Sequence, residues 1–268
     1  MIARQIDFAA RRDLRAVLAA GLVFLYAPIL VLIAFSFNDS RRTVVWQGFT
    51  VEWYRQAFED EALLEAALNS LIVAAGSTIL STLLGIMLGL ALHRYRFRGK
   101  ASLEGLVYLP IVVPEVCLGV ALLVFFSALD VTLSLATVIA GHVVFSFPFV
   151  AVIVRARMAG FDPALEEASR DLGAGTWQTF RCIMLPHMLP GIAAGALIAL
   201  TLSLDDFVVT FFTSGPGSTT LPIKIYAMVR FSVTPAVNAA STVLILLTAL
   251  AAAAAMALNR RDTTRELP

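Results

Sequence analysis

The sequence predicts an all-α membrane protein with six transmembrane helices. Of its 268 residues, 59% are hydrophobic and only 15% are charged, and the mean hydropathy is +0.84. Soluble domains carry about 25% charged residues. The apolar residues also fall in six long runs, at residues 16–37, 68–92, 103–128, 133–154, 188–213 and 237–258. A bilayer core of about 30 Å takes about 20 helical residues, so each run is long enough to span it.

The first run follows three basic residues, Arg11, Arg12 and Arg15, as the apolar core of a signal peptide would. Such a core is about 7–15 residues long and precedes a cleavage site made of small residues. The run is longer than that, and no such site occurs before Asn38. We therefore expect an uncleaved helix that crosses the membrane and contacts lipid.

The second run is rich in small residues, and Gly85 and Gly89 lie about one helical turn apart. This spacing lets two helices approach closely, and we interpret it as packing within the bundle rather than as a dimer seam. Several runs also contain prolines, whose kinks are tolerated in membrane helices where neighbouring groups satisfy the freed backbone. These prolines are Pro28, Pro110, Pro114, Pro148 and Pro190.

The basic residues predict the orientation, because cytoplasmic loops carry an excess of lysine and arginine. Fifteen of the 20 lysines and arginines lie in the two tails and in the loops after the second and fourth runs. The other five are Arg41, Arg42, Arg55, Lys224 and Arg230. We therefore expect both termini in the cytoplasm, in agreement with an even number of spans.

The loop after the fourth run carries the signals of two short helices. Asp162 is a suitable N-cap, and Pro163 suits the first helical position. Gly173 is placed to end this helix in the left-handed conformation. A second short helix is predicted over residues 176–184, ending ahead of Pro186. We expect a folded projection, rather than a flexible linker or a helix that lies on lipid.

This loop contains a pattern that resembles the EAA motif of binding-protein-dependent ABC importer permeases: Glu167-Ala168-Ser169, Leu172-Gly173-Ala174, Phe180, Ile183 and Leu185-Pro186. Only Ser169 departs, at a position where alanine is usual. The resemblance implies a type I (MetI-like) ABC importer permease fold, in which the loop of residues 155–186 forms coupling helices that seat in a groove of a separate ATPase. The residues so implied in ATPase coupling are Glu166, Glu167, Ala168, Leu172, Gly173, Ala174, Phe180, Leu185 and Pro186.

Other stretches extend the resemblance over nearly the whole chain, to the smaller permease subunit of spermidine/putrescine importers. They are Ser36–Tyr54, His93–Lys100, Ser203–Pro222 and Thr234–Ala239. The resemblance implies movement of polyamines from periplasm to cytoplasm across the bacterial inner membrane. It also implies three kinds of partner: a homologous second permease, two cytoplasmic ABC ATPase subunits and a periplasmic substrate-binding protein.

The same resemblance implies a division into three parts. Residues 1–67 hold the N-terminal tail, the first helix and a periplasmic segment, residues 68–258 form a five-helix permease core, and residues 259–268 form a cytoplasmic tail. The sequence has no GxxxxGK[ST] pattern, so ATP hydrolysis is expected in another chain. We therefore expect no enzyme activity and no cofactor bound by this chain, ATP and Mg²⁺ used by the ATPase, and no nucleic-acid partner.

Three acids, Glu115, Asp205 and Asp206, lie in the interiors of apolar runs that contain no lysine or arginine. Charged groups at membrane depth are costly and usually face a cavity or a partner. They predict a negative path in which either protons neutralise the acids or a cation visits them. Phe207 is an aromatic neighbour that either attracts the cation or faces lipid or the core. Adjacent helical positions point about 100° apart, so one of the two aspartates is expected to face the path. Glu115 is expected near the midplane, at a separate level, where it either lines the path or stabilises the helix beside Pro114.

On the predicted periplasmic side, a turn cluster at residues 214–217 precedes a short helix over about residues 221–230. By resemblance, Lys224, Tyr226 and Arg230 contact the binding protein, although a solvated surface explains these three residues equally well.

Two other transport functions stay open. One is an ABC permease for another organic cation or an opine. The other is a proton-coupled secondary transporter with the three acids as a relay, which would have no use for the folded projection and shows no inverted repeat. A membrane-embedded enzyme is not expected, since the sequence has no HExxH or GxSxG pattern and no acid/His cluster expected at a common depth. Cys117, Cys182 and the three scattered histidines have no metal-ligand spacing.

Overall fold

The computed structural model describes residues 12–40, 45–231 and 235–263. Within them the regular structure is helical, apart from one bridge between Asn38 and Phe49, which confirms the predicted all-α class. The helices are α1 (Arg12–Phe35), α2 (Glu52–Glu59), α3 (Glu61–Arg94), α4 (Lys100–Val112), α5 (Glu115–Ala128), α6 (Leu135–Met158), α7 (Pro163–Asp171), α8 (Thr176–Thr179), α9 (Leu185–Asp205), α10 (Val208–Thr213), α11 (Leu221–Phe231) and α12 (Pro235–Thr263). Of the basic residues used to predict orientation, those outside the described ranges are Arg4, Arg11, Arg41, Arg42 and Arg265.

Four helices in the described part of the chain are long and apolar enough to cross a membrane, namely Leu14–Phe35, Glu61–Arg94, Leu135–Met158 and Thr176–Asp205. The pair α4 and α5 makes a fifth span if the two helices are counted together. The last predicted run, residues 237–258, lies in α12, whose described apolar stretch, Pro235–Leu250, is shorter than these. A bundle of membrane-crossing helices is therefore confirmed, and the sixth span stays a prediction.

The prediction of one continuous helix over residues 103–128 is wrong. The chain leaves α4 before Val113 and starts α5 at Glu115, and the two helices are bent by 110°. Val113 is extended, with φ −70° and ψ 134°, which is the conformation that Pro114 favours in the residue before it. Pro110, in contrast, is accommodated inside α4. Glu115 therefore starts a new helix instead of lying in the middle of one.

The predicted short helix over residues 176–184 does not stop ahead of Pro186. It continues through one π-helical turn, Phe180–Met184, directly into α9. The wider turn shows in the hydrogen bond that the Leu185 N–H donates to the Phe180 carbonyl, five residues back. Proline has no N–H, and its ring crowds the carbonyl four residues back in a regular α-helix. A π-helical turn relieves that conflict without ending the helix.

The described residues fall into two compact units. The smaller unit contains the described residues up to Asp60 and Ala227–Val243, and the larger contains Glu61–Tyr226 and α12 from Leu244 onward. Within the smaller unit, Trp53 Nε1 donates to the Asn38 carbonyl at 2.8 Å. This bond fastens α2 to the segment that follows α1.

The larger unit is built on the close packing of α3, α6 and α9. Its buried apolar core consists of Val150, Val154, Met158, Met184, Met188 and Ala199. A Cβ atom placed on Gly85 would lie 2.5 Å from Val150 Cβ, and one on Gly89 would lie 2.8 Å from the Ala151 carbonyl oxygen. The predicted close approach within the bundle is therefore confirmed, and it joins α3 to α6.

Candidate functional site

The loop after α6 folds into a compact projection, which we call the helical projection (residues 162–186). Asp162 Oδ1 accepts a hydrogen bond from the Ala164 N–H at 2.9 Å, so the predicted N-cap of α7 is confirmed. At the other end Gly173 has φ +85°. Its N–H donates to the Arg170 carbonyl at 2.8 Å, and the Ala174 N–H donates to the Ser169 carbonyl at 3.1 Å. These are the two bonds of a Schellman cap, so the predicted stop at glycine is also confirmed.

Ser169, the one departure from the EAA pattern, has a structural role. Its Oγ lies 3.0 Å from Thr179 Oγ1, and both residues are buried. The hydroxyl pair links α7 to α8, a bond that the usual alanine could not make. The substitution thus adds a contact that holds the two short helices of the projection together.

Glu166 connects the projection to α3. Its Oε1 lies 2.5 Å from Arg94 Nη2 and 2.5 Å from Arg170 Nη2. Arg94 is the last residue of α3, and Arg170 lies one turn farther along α7. The Glu166 side chain is only 17% exposed, so solvent screens this double ion pair less than it would a fully exposed one.

Much of the predicted coupling surface is open. Leu172 is 89% exposed, and Glu167 and Ala168 are also exposed. Beside the Schellman cap, a groove of about 530 Å³ is lined on one side by Ala168, Leu172, Gly173 and Ala174. Glu167 makes no polar contact within the described part of the chain. An exposed leucine beside an unpaired carboxylate is a surface that a partner protein could cover.

The remaining residues of the predicted coupling set lie deeper. Phe180 is half-buried and stacks on the exposed Trp177, with ring centroids 5.6 Å apart. Leu185 is half-buried and Pro186 exposed, at the start of α9. These three predicted residues therefore join the projection to the long helix that follows it.

The break between α4 and α5 brings the three intramembrane acids together. Glu115, in the first turn of α5, lies within electrostatic range of Asp205 and Asp206. α5 also packs closely on α10. A Cβ atom placed on Gly119 would lie only 2.6 Å from the Phe212 ring. The depth expected for Glu115 counted an unbroken helix, which is wrong, and the expectation of separate levels stays a prediction.

Asp206 and Asp205 differ sharply in surroundings. The fifth predicted run, residues 188–213, is interrupted where α9 ends at Asp205, and Asp206 is extended, with φ −64° and ψ 129°. Asp206 is buried and accepts hydrogen bonds from the Thr210 N–H at 2.8 Å, the Thr210 hydroxyl at 2.7 Å and the Val209 N–H at 3.3 Å. Asp205 is exposed, as is the predicted path residue Glu115. The carboxylate of Asp206 thus caps α10 and points into protein.

His142 is a functional candidate that the sequence analysis missed. It is fully buried in α6, and its Nε2 lies 3.2 Å from Asp206 Oδ2. The fourth predicted run contains no lysine or arginine, but it does place this imidazole beside Asp206. The available signal is a histidine in the middle of an apolar run. Within the described residues, no group of three or more His, Cys, Asp or Glu could hold a metal ion.

Phe207 and Tyr226, which were assigned to the path and to the outer surface, are in contact. Their ring centroids lie 4.6 Å apart, and Phe207 also contacts Phe211 at 5.7 Å. Tyr226 is 49% exposed. On the same helix, α11, Lys224 is half-buried and Arg230 is exposed. The contact between Phe207 and Tyr226 therefore packs the α9–α10 break against α11.

The loop that precedes α11, residues 214–220, is attached to α3. Buried Asn69 donates from Nδ2 to the Gly217 carbonyl at 3.1 Å and to the Thr219 carbonyl at 3.0 Å. Ser70 Oγ accepts from the Leu221 N–H at 2.8 Å. Sequence reasoning missed this anchor, because the partners of Asn69 are 148 and 150 residues away along the chain.

Comparison with known proteins gives a family and several relatives. Residues 81–263 match the family described as binding-protein-dependent transport system inner membrane component. The sequence is 42% identical to the spermidine/putrescine transport system permease protein PotC of Escherichia coli K12, over 90% of this chain and 91% of that protein. It is 39% identical to the putrescine transport system permease protein PotI of the same strain, over 85% of this chain and 84% of that protein. It is 34% identical to the molybdate/tungstate transport system permease protein WtpB of Thermococcus kodakarensis, over 73% of this chain and 76% of that protein.

Solved structures share the fold. A bacterial ABC transporter involved in the import of the acidic polysaccharide alginate matches with a TM-score of 0.74 and 20% identity, over 95% of this chain and 97% of that one. The inward-facing MetNI methionine ABC transporter matches with a TM-score of 0.63 and 22% identity, over 75% of this chain and 95% of that one. At these identities the likeness concerns the fold alone, and it confirms the predicted importer permease architecture.

Proposed function

Because the chain belongs to the family of binding-protein-dependent transport system inner membrane components, we propose that this ABC importer permease carries polyamines such as putrescine and spermidine. The relatives PotC and PotI are permeases of spermidine/putrescine and putrescine transport systems. The chain covers 91% and 84% of their respective lengths. The likeness therefore extends over nearly the whole permease and not over one motif.

The observation that carries this proposal is the pair of exposed acids, Asp205 and Glu115, beside the aromatic contact of Phe207 with Tyr226. A carboxylate 4 Å from an ammonium group contributes about 4 kcal/mol of attraction at an effective dielectric constant of about 20. Aromatic faces attract ammonium groups as well. A molybdate/tungstate permease is also a relative, so family membership alone does not fix the sign of the substrate. The local acids do favour a cation.

We assign the substrate path to Glu115, Asp205 and Phe207, with Asp206 behind them. Lys224, Tyr226 and Arg230 are assigned to contact with the substrate-binding protein. Tyr226 touches Phe207, so a partner seated on α11 would lie next to the path.

ATPase coupling is assigned to the helical projection. Exposed Leu172 and the unpaired carboxylate of Glu167 form the surface for the partner, and the Schellman cap at Gly173 keeps that surface rigid. The Glu166–Arg94 ion pair would transmit a movement of α7 to α3. The proposed partners are a homologous second permease, two ABC ATPase subunits that use ATP and Mg²⁺, and a periplasmic binding protein. This chain would bind no cofactor, and both termini would lie in the cytoplasm.

The test is uptake by the complete complex in proteoliposomes, with ATP inside and loaded binding protein outside. We expect accumulation of labelled putrescine that requires ATP, is reduced by excess spermidine and is unaffected by a proton ionophore. Competition by an opine but not by spermidine would replace polyamines with the alternative substrate class. Loss of uptake with the ionophore while ATP is present would support the secondary-transporter alternative and contradict the proposal.

A further inference from the structure

Asp206 lies in a buried polar network. His142, Ser203 and Thr210 are buried, and the imidazole lies between the other two, with Nδ1 2.7 Å from Ser203 Oγ and Nε2 2.8 Å from Thr210 Oγ1. Ser77, on α3, donates to Ser203 Oγ at 3.0 Å. The network therefore joins α3, α6, α9 and α10 around one carboxylate.

The hydrogen-bond partners of His142 determine which ring nitrogen carries the proton. Ser77 Oγ lies closer to Ser203 Oγ, at 3.0 Å, than to the Ala74 carbonyl oxygen, at 3.3 Å, so we assign its hydrogen to Ser203, and the Ser203 hydroxyl hydrogen is then free to be donated to His142 Nδ1. The proton of a neutral ring then sits on Nε2, which can donate to Thr210 Oγ1 at 2.8 Å and also lies 3.2 Å from Asp206 Oδ2. The Thr210 hydroxyl also donates to Asp206 Oδ2.

The position of this carboxylate decides the geometry of the α9–α10 break. Asp206 holds the N-terminus of α10 through the Val209 and Thr210 N–H groups. Its neighbours in sequence are the two proposed path residues, Asp205 and Phe207. A rotation at Asp206 would therefore turn both neighbours.

We propose that His142 is a positioning residue for transport: it holds Asp206 as the cap of α10 and thereby sets where Asp205 and Phe207 face. Asp206 is then a support that does not touch the substrate, whereas Asp205 does. The inference rests on the proposed function for the identity of the path, but the geometry of the break can be tested without any substrate.

The experiment compares two amides that each keep half of the imidazole contacts. In His142→Gln the longer side chain places an N–H donor near the position of Nε2, toward Asp206. In His142→Asn the shorter side chain reaches only the position of Nδ1, toward Ser203. Both variants are prepared in the complete complex, with Cys117 and Cys182 replaced by serine because both are exposed. A reporter cysteine is introduced by Phe207→Cys, and Thr219→Cys, in the exposed part of the 214–220 loop, is the control.

The readouts are the labelling rate of the reporter by a membrane-impermeant cationic thiol reagent and, in parallel complexes that retain Phe207, the import rate of putrescine. His142→Asn should change the labelling rate at Phe207→Cys and lower import by roughly tenfold or more, the size expected for one lost hydrogen bond to a charged group. His142→Gln should stay within about twofold of the parent on both readouts, and labelling at Thr219→Cys should not respond to either variant. Equal behaviour of the two amides, whether both are impaired or both intact, would overturn the proposal.

If His142→Asn does not assemble, the double variant His142→Asn/Asp206→Asn decides the question. A buried carboxylate that has lost the support of the imidazole is the cause that the proposal names, so removing its charge should restore assembly. Failure of this rescue would contradict the proposal. If the wild-type complex does not import polyamines, the proposed substrate fails while the labelling result still tests His142.

Discussion

Arg94, at the last position of α3, contacts Glu166 of α7 at 2.5 Å from Nη2 to Oε1. The same carboxylate oxygen contacts Arg170. α3 is also the helix whose other end holds the 214–220 loop through Asn69. One 34-residue helix therefore contacts the helical projection at one end and the segment that leads to α11 at the other.

Glu166→Gln should weaken coupling without preventing assembly. The variant removes the charge from a partly exposed double ion pair, worth about 1 kcal/mol or about a fivefold factor in an equilibrium. We expect the ATPase stimulation by loaded binding protein to fall several-fold, with the basal rate retained. Glu104→Gln is the matched control, because Glu104 pairs with Arg155 at 3.1 Å and does not touch the projection. Similar losses in both variants would show that general surface charge, and not this contact, matters.

Asp205→Asn should lower the import of putrescine at least several-fold while the complex still assembles. Asp205 is exposed beside Glu115, so its neutralisation removes attraction for the substrate without leaving a buried group unpaired. Asp130→Asn is the control: Asp130 is another exposed acid outside the path, and its φ of 51° is one that asparagine tolerates. Glu115→Gln should behave like Asp205→Asn. Unchanged uptake in both path variants would mean that the acids are structural.

Asn69→Ala should loosen the 214–220 loop. The change removes two hydrogen bonds to carbonyls of exposed residues, each worth about 0.5–1.5 kcal/mol. We expect faster protease cleavage in this loop and weaker binding of the loaded binding protein. Ser70→Ala removes one bond instead of two and should have a smaller effect. Cleavage at the wild-type rate in Asn69→Ala would count against the anchor.

The orientation can be tested with reporter fusions. Fifteen of the 20 basic residues lie on one predicted side, so fusions after Gly99 and Gly175 should be active only as cytoplasmic reporters. Fusions near Gln56 and Gly217 should be active only as periplasmic reporters. A periplasmic signal after Gly175 would place the helical projection where no ATPase could reach it.

The sequence predicted features that depend on neighbours along the chain. The cap at Asp162 and the left-handed Gly173 are set within four residues, and both were found as expected. Gly85 and Gly89 likewise predicted a close approach, because a residue without a side chain leaves the same opening in any partner helix.

Features that depend on competition between local effects, or on distant residues, could not be predicted. Pro110 and Pro114 look alike in the sequence, yet only the second ends a helix, and Pro186 is accommodated by a π-helical turn. The contact between His142 and Asp206 joins residues from different helices, so no local pattern reveals it. Without it, the sequence leaves open which of Asp205 and Asp206 faces the path.

The most direct test of coupling through the helical projection is the ATPase rate of the complete complex in nanodiscs, with and without loaded binding protein. Gly173→Asp forces a side chain onto φ +85°, which costs about 1–2 kcal/mol, and disrupts the Schellman cap. Gly175→Asp adds the same charge two residues away, where φ is −72° and the residue is the N-cap of α8, a position that aspartate favours. We predict that Gly173→Asp loses stimulation or the ATPase itself while Gly175→Asp keeps most of both. Full substrate-stimulated hydrolysis in Gly173→Asp would contradict the assignment of the projection as the coupling element.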